Sequence, residues 1–154
     1  MVPYLGDFAE DDTVYLMFNT FTSDDPSASS TITNFINTDV HIHKDDGLTQ
    51  RNNAAGITVS VNFDGITGSH MIKIDTSDDT VAAFWVTGSE YFVRIEGATV
   101  DAATINAVVG HFSIERAGGA LALLKLIQAA VITNAAGVDI AADIIAVKAE
   151  TASI

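Results

Sequence analysis

Cysteine is missing from this 154-residue chain, which removes disulfides, thiolate zinc sites and a cysteine nucleophile together. Basic residues are scarce: 7 Lys and Arg stand against 20 Asp and Glu, a formal net charge of −13, with an isoelectric point near 4.2. Nucleic-acid phosphates and anionic membrane surfaces both call for Lys and Arg, so neither is an expected partner. An acidic surface instead keeps a repeated subunit soluble before assembly. Long hydrophobic runs are lacking as well. Residues 120–136 carry Lys125 as their one charge, but Gln128, Thr133 and Asn134 interrupt them, and the run falls short of the roughly 20 apolar residues of a membrane helix. The opening MVPYLGDFAEDD has no basic n-region and no apolar h-region, so it does not read as a secretory signal. Catalytic signatures are absent too: there is no G-x-S-x-G, no H-E-x-x-H and no P-loop. The expectation is a protein that is not an enzyme, with no catalytic residue and no cofactor.

What is present is apolar weight, 48% of the chain at a mean hydropathy of +0.30, much of it Ala, Ile and Val in residues 119–149. That excess reads as subunit interface. The final stretch, VDIAADIIAVKAETASI, places Ile140, Ile144, Val147, Thr151 and Ile154 at steps of four, three, four and three, the a/d rhythm of a coiled coil. Asp143 falls at g and Lys148 at e, a pair that joins neighbouring helices. Two heptads do not hold as an isolated helix in water, so the segment needs partner copies. Ahead of it, Ala120–Thr133 reads as a helix with Leu121, Leu124 and Val131 on one stripe and Leu123, Leu126 and Ile127 widening it.

The first 116 residues follow a period of two. Strands are expected at Thr13–Thr22, Thr31–Asn37, Asp39–Lys44, Ile57–Phe63, Ser69–Thr76, Glu90–Glu96 and Thr104–Glu115, with turns at Asp45-Asp46-Gly47, Asp64-Gly65 and Gly97 between them. Short strands at even intervals are the pattern of an antiparallel β-sandwich. Residues 1–12, with Pro3, Gly6 and four acids, read as an extended arm. The expected organisation is therefore an N-terminal arm (1–12), a β-sandwich (13–116) and a helical oligomerisation segment (117–154).

Few residues carry chemistry. His41 and His43, at i and i+2 of one strand, share a face and form a half-site for a divalent metal. The same alternation makes them the solvent-side partners of Val40 and Ile42, and a metal needs a third ligand that the sequence does not fix. In a trimer such a pair near the axis would gather six imidazoles. The doublets Asp11-Asp12, Asp24-Asp25, Asp45-Asp46 and Asp78-Asp79 fall at turns and match no calcium loop; Asx turns account for them. Trp85, Tyr91 and Phe92 are the candidate aromatics of a carbohydrate-binding module, although Tyr91 and Phe92 point to opposite faces of one strand.

The runs YLGDFAEDDTVYLMF (4–18), HKDDG (43–47), AGITVSVNFDGITGSHMIKIDTS (55–77), TGSEYFVRI (87–95), ATVDAATINAVVGHFSI (98–114) and the tail AADIIAVKAETASI together resemble an N-terminal module of tailed-bacteriophage virion proteins of fibre or baseplate-upper-protein type. The resemblance implies a sandwich that docks on the virion, with other phage proteins of capsid, tail or baseplate as partners, and helices that trimerise behind it. Tyr4, Leu5 and Phe8 are the expected docking residues. TGSEYFV also resembles the tyrosine-corner neighbourhood of immunoglobulin-like sandwiches, with Val93 where a cysteine commonly stands. The expected fold is mainly β, an antiparallel immunoglobulin-like sandwich followed by C-terminal helices in a trimeric coiled coil. β-Branched residues at all five seam positions favour three or four strands over two, and the resemblance implies three. The expected role is a homotrimeric fibre, tail-attachment or capsid-decoration subunit, located in the virion, with a host-adhesion carbohydrate module as the alternative.

Overall fold

The computed structural model describes residues 2–45, 47, 49–129 and 148. The positions expected to oligomerise at Val131, Ile140, Ile144, Val147, Thr151 and Ile154 lie outside the described residues. The chain divides into two compact units, Met1–Arg116 and Ala117–Ile154.

The first unit is mainly β and is built from two sheets. In chain order its strands are β1 (Tyr4–Phe8), β2 (Thr13–Asn19), β3 (Ile32–Thr33), β4 (Val40–Lys44), β5 (Thr49–Gln50), β6 (Ile57–Ser60), β7 (Ser69–Asp75), β8 (Glu90–Val100) and β9 (Ala103–Ile114). The larger sheet runs β1-β9-β8-β4-β5, with β3 also on β8, and the smaller runs β2-β7-β6. Every pairing is antiparallel except that of β1 with β9, which is parallel. Both sheets turn apolar residues onto one core, as a β-sandwich does. Val14 and Leu16 of β2, Ile57 of β6 and Ile72 and Ile74 of β7 meet Val40, Ile42, Tyr91, Val93, Ile95, Phe112 and Ile114 from the larger sheet.

Two of these strands keep their cores facing inward only because each carries an extra residue. In β8 the buried positions are Tyr91, Val93 and Ile95, then Ala98 and Val100. The parity changes at Gly97, where the register with β9 slips between Glu96 and Ala98. In β9 it changes again, because Val93 faces Gly110 while Arg94 faces Val108, leaving Val109 as the inserted residue. These are β-bulges, and each restores the alternation after one step. Gly97, at φ +87, therefore sits in a bulge and not in the expected turn. The chain turns instead at Asp101-Ala102, both with positive φ, as a two-residue hairpin of type I′ requires. The Asp101 carboxylate accepts from the Ser23 amide at 2.9 Å and hydroxyl at 2.6 Å, and those bonds hold its pKa below the ordinary carboxylate value.

Two expectations are corrected. Residues 4–8 are not a free arm: β1 is a strand of the larger sheet, tied by His111 N–H to Pro3 O at 3.0 Å and Glu115 N–H to Phe8 O at 3.0 Å. Parallel pairing to the last strand supplies partners that a short run with Pro3, Gly6 and Asp7 does not signal on its own. Likewise the strand from Ile57 ends at Ser60, so Val61 and Phe63 are exposed and not inward. Asn62 takes the left-handed conformation there, at φ 50 and ψ 54, and starts a 3-10 turn over Phe63–Gly65.

One buried polar group gives the fold a pH dependence. His70 is fully buried, with its ring 5.2 Å from that of Phe18. Its Nδ1 accepts from the Asn62 amide at 3.2 Å, so the neutral ring carries its proton on Nε2. That Nε2–H donates to Thr20 Oγ1 at 2.8 Å, and the Thr20 hydroxyl donates in turn to the Ser30 carbonyl. Protonating Nδ1 would set N–H against N–H in an apolar site. Desolvation accordingly pulls the His70 pKa below 6.5, the Ser30 contact offsetting part of it. As pH falls through 6.5, the unfolded chain takes up a proton that the folded chain refuses, so the contribution to stability is full above 6.5 and declines below it. Urea midpoints measured from pH 7.5 down to pH 5 should fall more steeply for the wild-type chain than for His70→Gln; equal slopes would remove His70 from the account.

In the second unit the described helix is α1 (Ala120–Gln128), which begins after Gly119 without a side-chain cap. None of its residues is buried, and Leu123, Leu124, Leu126 and Ile127 are all exposed.

Candidate functional site

The outer face of the larger sheet brings together side chains from five strands. Tyr4 pairs with His111, His111 with Phe92, Phe92 with His43, and His43 with Gln50. Period-two alternation puts all five on the side away from the core, in one row across the strands. The Phe92 and His111 rings stack at 5.6 Å and 19°, and the His111 and Tyr4 rings lie 5.0 Å apart. Asp7 anchors the β1 end. Its Oδ1 accepts from the Ser113 hydroxyl at 2.6 Å and the Arg116 amide at 2.9 Å. With the Ser113 proton so committed, the Tyr4 phenol is the donor in its 2.7 Å bond to Ser113 Oγ.

His41 and His43 both lie on this face, half-buried, but each is engaged separately. His43 Nδ1 donates to Gly47 O at 3.0 Å. His41 Nδ1 accepts from the Gln50 amide at 2.5 Å, which leaves its Nε2 3.8 Å from Glu96. His70 is in the core, and His111 stands beside Phe92. Among the described residues no group of three or more His, Asp or Glu is arranged to hold a metal ion. Two imidazole atoms in the row, His43 Nε2 and His111 Nδ1, are buried without a hydrogen-bond partner.

No family model, curated protein sequence or solved structure matches this chain.

Of the expected docking trio, Tyr4 is 46% exposed, whereas Leu5 and Phe8 pack against the core, Phe8 edge-on to Phe112 at 6.0 Å. Of the expected oligomerisation residues within α1, Leu121 is half-buried and Leu124 is 61% exposed. The three aromatics weighed as a glycan platform do not share a surface. Tyr91 is fully buried, Trp85 packs against the core, and Phe92 is on the outer face. Among the described residues, no helix is long and apolar enough to cross a membrane.

Sequence reading passed over Arg51. It lies in a stretch that reads as polar loop, yet it is among the buried residues. Its Nη1 donates to Asn53 O at 2.6 Å and Ala55 O at 2.7 Å, and its Nη2 to Asp78 Oδ1 at 2.6 Å. A lone Arg amid Asn, Thr and Gln carries no periodic signal, and only the tertiary fold supplies its carboxylate. With Thr38, His41, Gln50 and Asn52, Arg51 also lines a cleft of about 170 Å³, below the roughly 300 Å³ at which small-molecule sites begin.

Proposed function

We propose that this chain is a structural, non-catalytic subunit of a bacteriophage particle, a homotrimeric fibre, tail-attachment or capsid-decoration protein. Its N-terminal β-sandwich docks on other virion proteins, and its C-terminal helices trimerise. The observation that carries the reading is α1, a helix in which Leu123, Leu124, Leu126 and Ile127 are exposed and no residue is buried. Exposed Leu on successive turns needs cover, at roughly 25 cal/mol per Å² of apolar surface. The a/d heptads that follow it in sequence supply a seam for partner copies. The resemblance of residues 4–114 to a phage virion module supplies the setting.

The sandwich is read as immunoglobulin-like. A sheet order of β1-β9-β8-β4-β5 against β2-β7-β6 fits the strand order of that fold, with β8 in the place of strand F. Tyr91, near the start of β8, supports this: its hydroxyl accepts from the Val86 amide at 2.7 Å and lies 3.1 Å from Phe84 O and 3.2 Å from Val86 O. A phenol bonded back to the preceding loop is the contact a tyrosine corner makes.

Sedimentation equilibrium on the intact chain tests the assembly. Wild-type protein should form species of three chains or a multiple of three, and Ile144→Asp, which sets carboxylates together in an apolar seam, should abolish the three-fold species. A wild-type chain that is monomeric at micromolar concentration would reject trimerisation.

A further inference from the structure

The smaller sheet has one edge that carries none of the devices by which edges are protected. Exposed strand edges offer unpaired N–H and C=O groups, and natural sheets blunt them by shortness, bulges, charges or proline. The other edge strands among the described residues comply. β3 and β5 have two residues each and β6 four, while β1 slips register between Tyr4 and Asp7 around Gly6 at φ +133. β2 is different: seven residues, TVYLMFN, with no charge, no Pro and no Gly, paired in regular register to β7 along its whole length. Above that edge stand Tyr15, 56% exposed, and Met17, 53% exposed.

Ladder parity shows which backbone groups are free. Thr20 N–H bonds Gly68 O at 3.0 Å, and Thr76 N–H bonds Asp12 O at 3.2 Å; both pairs continue the register of β2 with β7. Even-numbered residues of β2 therefore bond inward to β7. The odd-numbered Thr13, Tyr15, Met17 and Asn19 turn their amides and carbonyls to the open edge. Thr13 N–H is satisfied locally by Asp12 Oδ1 at 2.9 Å, which leaves Tyr15, Met17 and Asn19 as the free donors.

We propose that β2 pairs antiparallel with β2 of a second copy of this chain, about a two-fold axis at Leu16, joining two smaller sheets into one. The strand is self-complementary in that register. Tyr15 faces the partner's Met17 on the outer side, an aromatic–sulfur pair, and Val14 faces the partner's Phe18 on the core side. The axis falls on a non-hydrogen-bonded position, so Tyr15 and the partner's Met17 exchange both backbone bonds, as an antiparallel ladder demands. Electrostatics favours a second copy at this place. In a chain of net charge −13, β2 is an uncharged strip, and Asp12 comes beside the partner's Thr20 and not beside a carboxylate. A two-fold contact through the sandwich is separate from helix trimerisation and does not depend on it; where both operate, trimers are linked to trimers.

Hydrogen exchange and sedimentation on the full chain test this. Raising concentration should slow exchange at the Tyr15, Met17 and Asn19 amides by at least about tenfold, while Val14, Leu16 and Phe18 are protected at every concentration. Tyr15→Lys/Met17→Lys places charges on the edge without touching the core. It should weaken the two-fold association by about a hundredfold and abolish the concentration dependence. The comparison is repeated in Ile144→Asp, where the expected change is from two chains to one. Loss of trimers in Ile144→Asp with two-chain species intact separates this contact from the helices. Exchange at Tyr15 and Met17 that is indifferent to concentration, or an unchanged mass in the folded double-lysine variant, would overturn the proposal.

Discussion

Gly110→Val should cost about 3 kcal/mol of stability and Gly110→Ala about 1 kcal/mol. The opposite would be expected of a glycine in a strand on general grounds, since a side chain there narrows the unfolded ensemble and improves strand propensity by about 0.5–1 kcal/mol. Position decides the sign. Gly110 lies in the bulge register of β9 and faces the smaller sheet, where a Cβ would come 2.4 Å from Leu16 Cδ1, 3.4 Å from Leu16 Cγ and 3.5 Å from Leu5 Cδ1. Leu16 is fully buried, so its methyl has no solvent to move into. Here β9 presents no side chain, and Leu16 of the smaller sheet occupies the space one would need. Urea denaturation measures the loss, and a second substitution identifies its cause. Leu16→Ala alone should cost about 2–5 kcal/mol, but in the Gly110→Val background it should cost at least about 1 kcal/mol less, because the valine occupies the space vacated. A Gly110→Val chain as stable as wild type would show that the sheets have room to part.

The strands legible in the sequence are those where one face is wet and the other dry. β4 and β7 alternate without interruption, and Val40, Ile42, Ile72 and Ile74 are buried as period two requires. Alternation failed where the chain inserts a residue. Gly97 looks like a turn because glycine with positive φ serves turns and bulges alike, and only the register with β9 distinguishes them. Val108 and Val109 look interchangeable as a run of two valines; the bulge leaves Val108 exposed and packs Val109 against the core. β1 was hidden for another reason. Its partner is 107 residues away, Tyr4 with His111, and a five-residue strand with Gly6 and Asp7 has no pattern of its own. The outer row from Tyr4 to Gln50 was invisible for the same reason, since it exists only once four pairings are in register.

Arg51→Met should lose about 3 kcal/mol, and Arg51→Lys nearly as much. The Arg51 side chain is wholly inaccessible, and its guanidinium bridges segments that share no strand. One nitrogen takes the carbonyls of Asn53 and Ala55, and the other takes the Asp78 carboxylate at 2.6 Å and the Asp78 carbonyl at 3.4 Å. The group also sits over the Trp85 ring, 5.4 Å from its centroid, and Trp85 in turn contacts Phe84, Tyr91 and Phe112 at 4.9–6.2 Å. Methionine fills the space of the stem but leaves the carbonyls of Asn53, Ala55 and Asp78 and the Asp78 carboxylate without the guanidinium, and an unmade buried bond costs more than a made one contributes. Lysine keeps the charge, yet a single ammonium cannot reach the carbonyls and Asp78 in the planar fork that arginine presents. Trp85 is the single tryptophan of the chain, so its emission reports this site alone. In Arg51→Met the urea midpoint should drop and the folded-state emission should shift to longer wavelength as the indole loses its cationic cover and meets water. A drop in midpoint with unchanged emission would confine Arg51 to the Asn53–Ala55 loop. Unchanged values of both would show that the bridge to Trp85 contributes nothing to the fold.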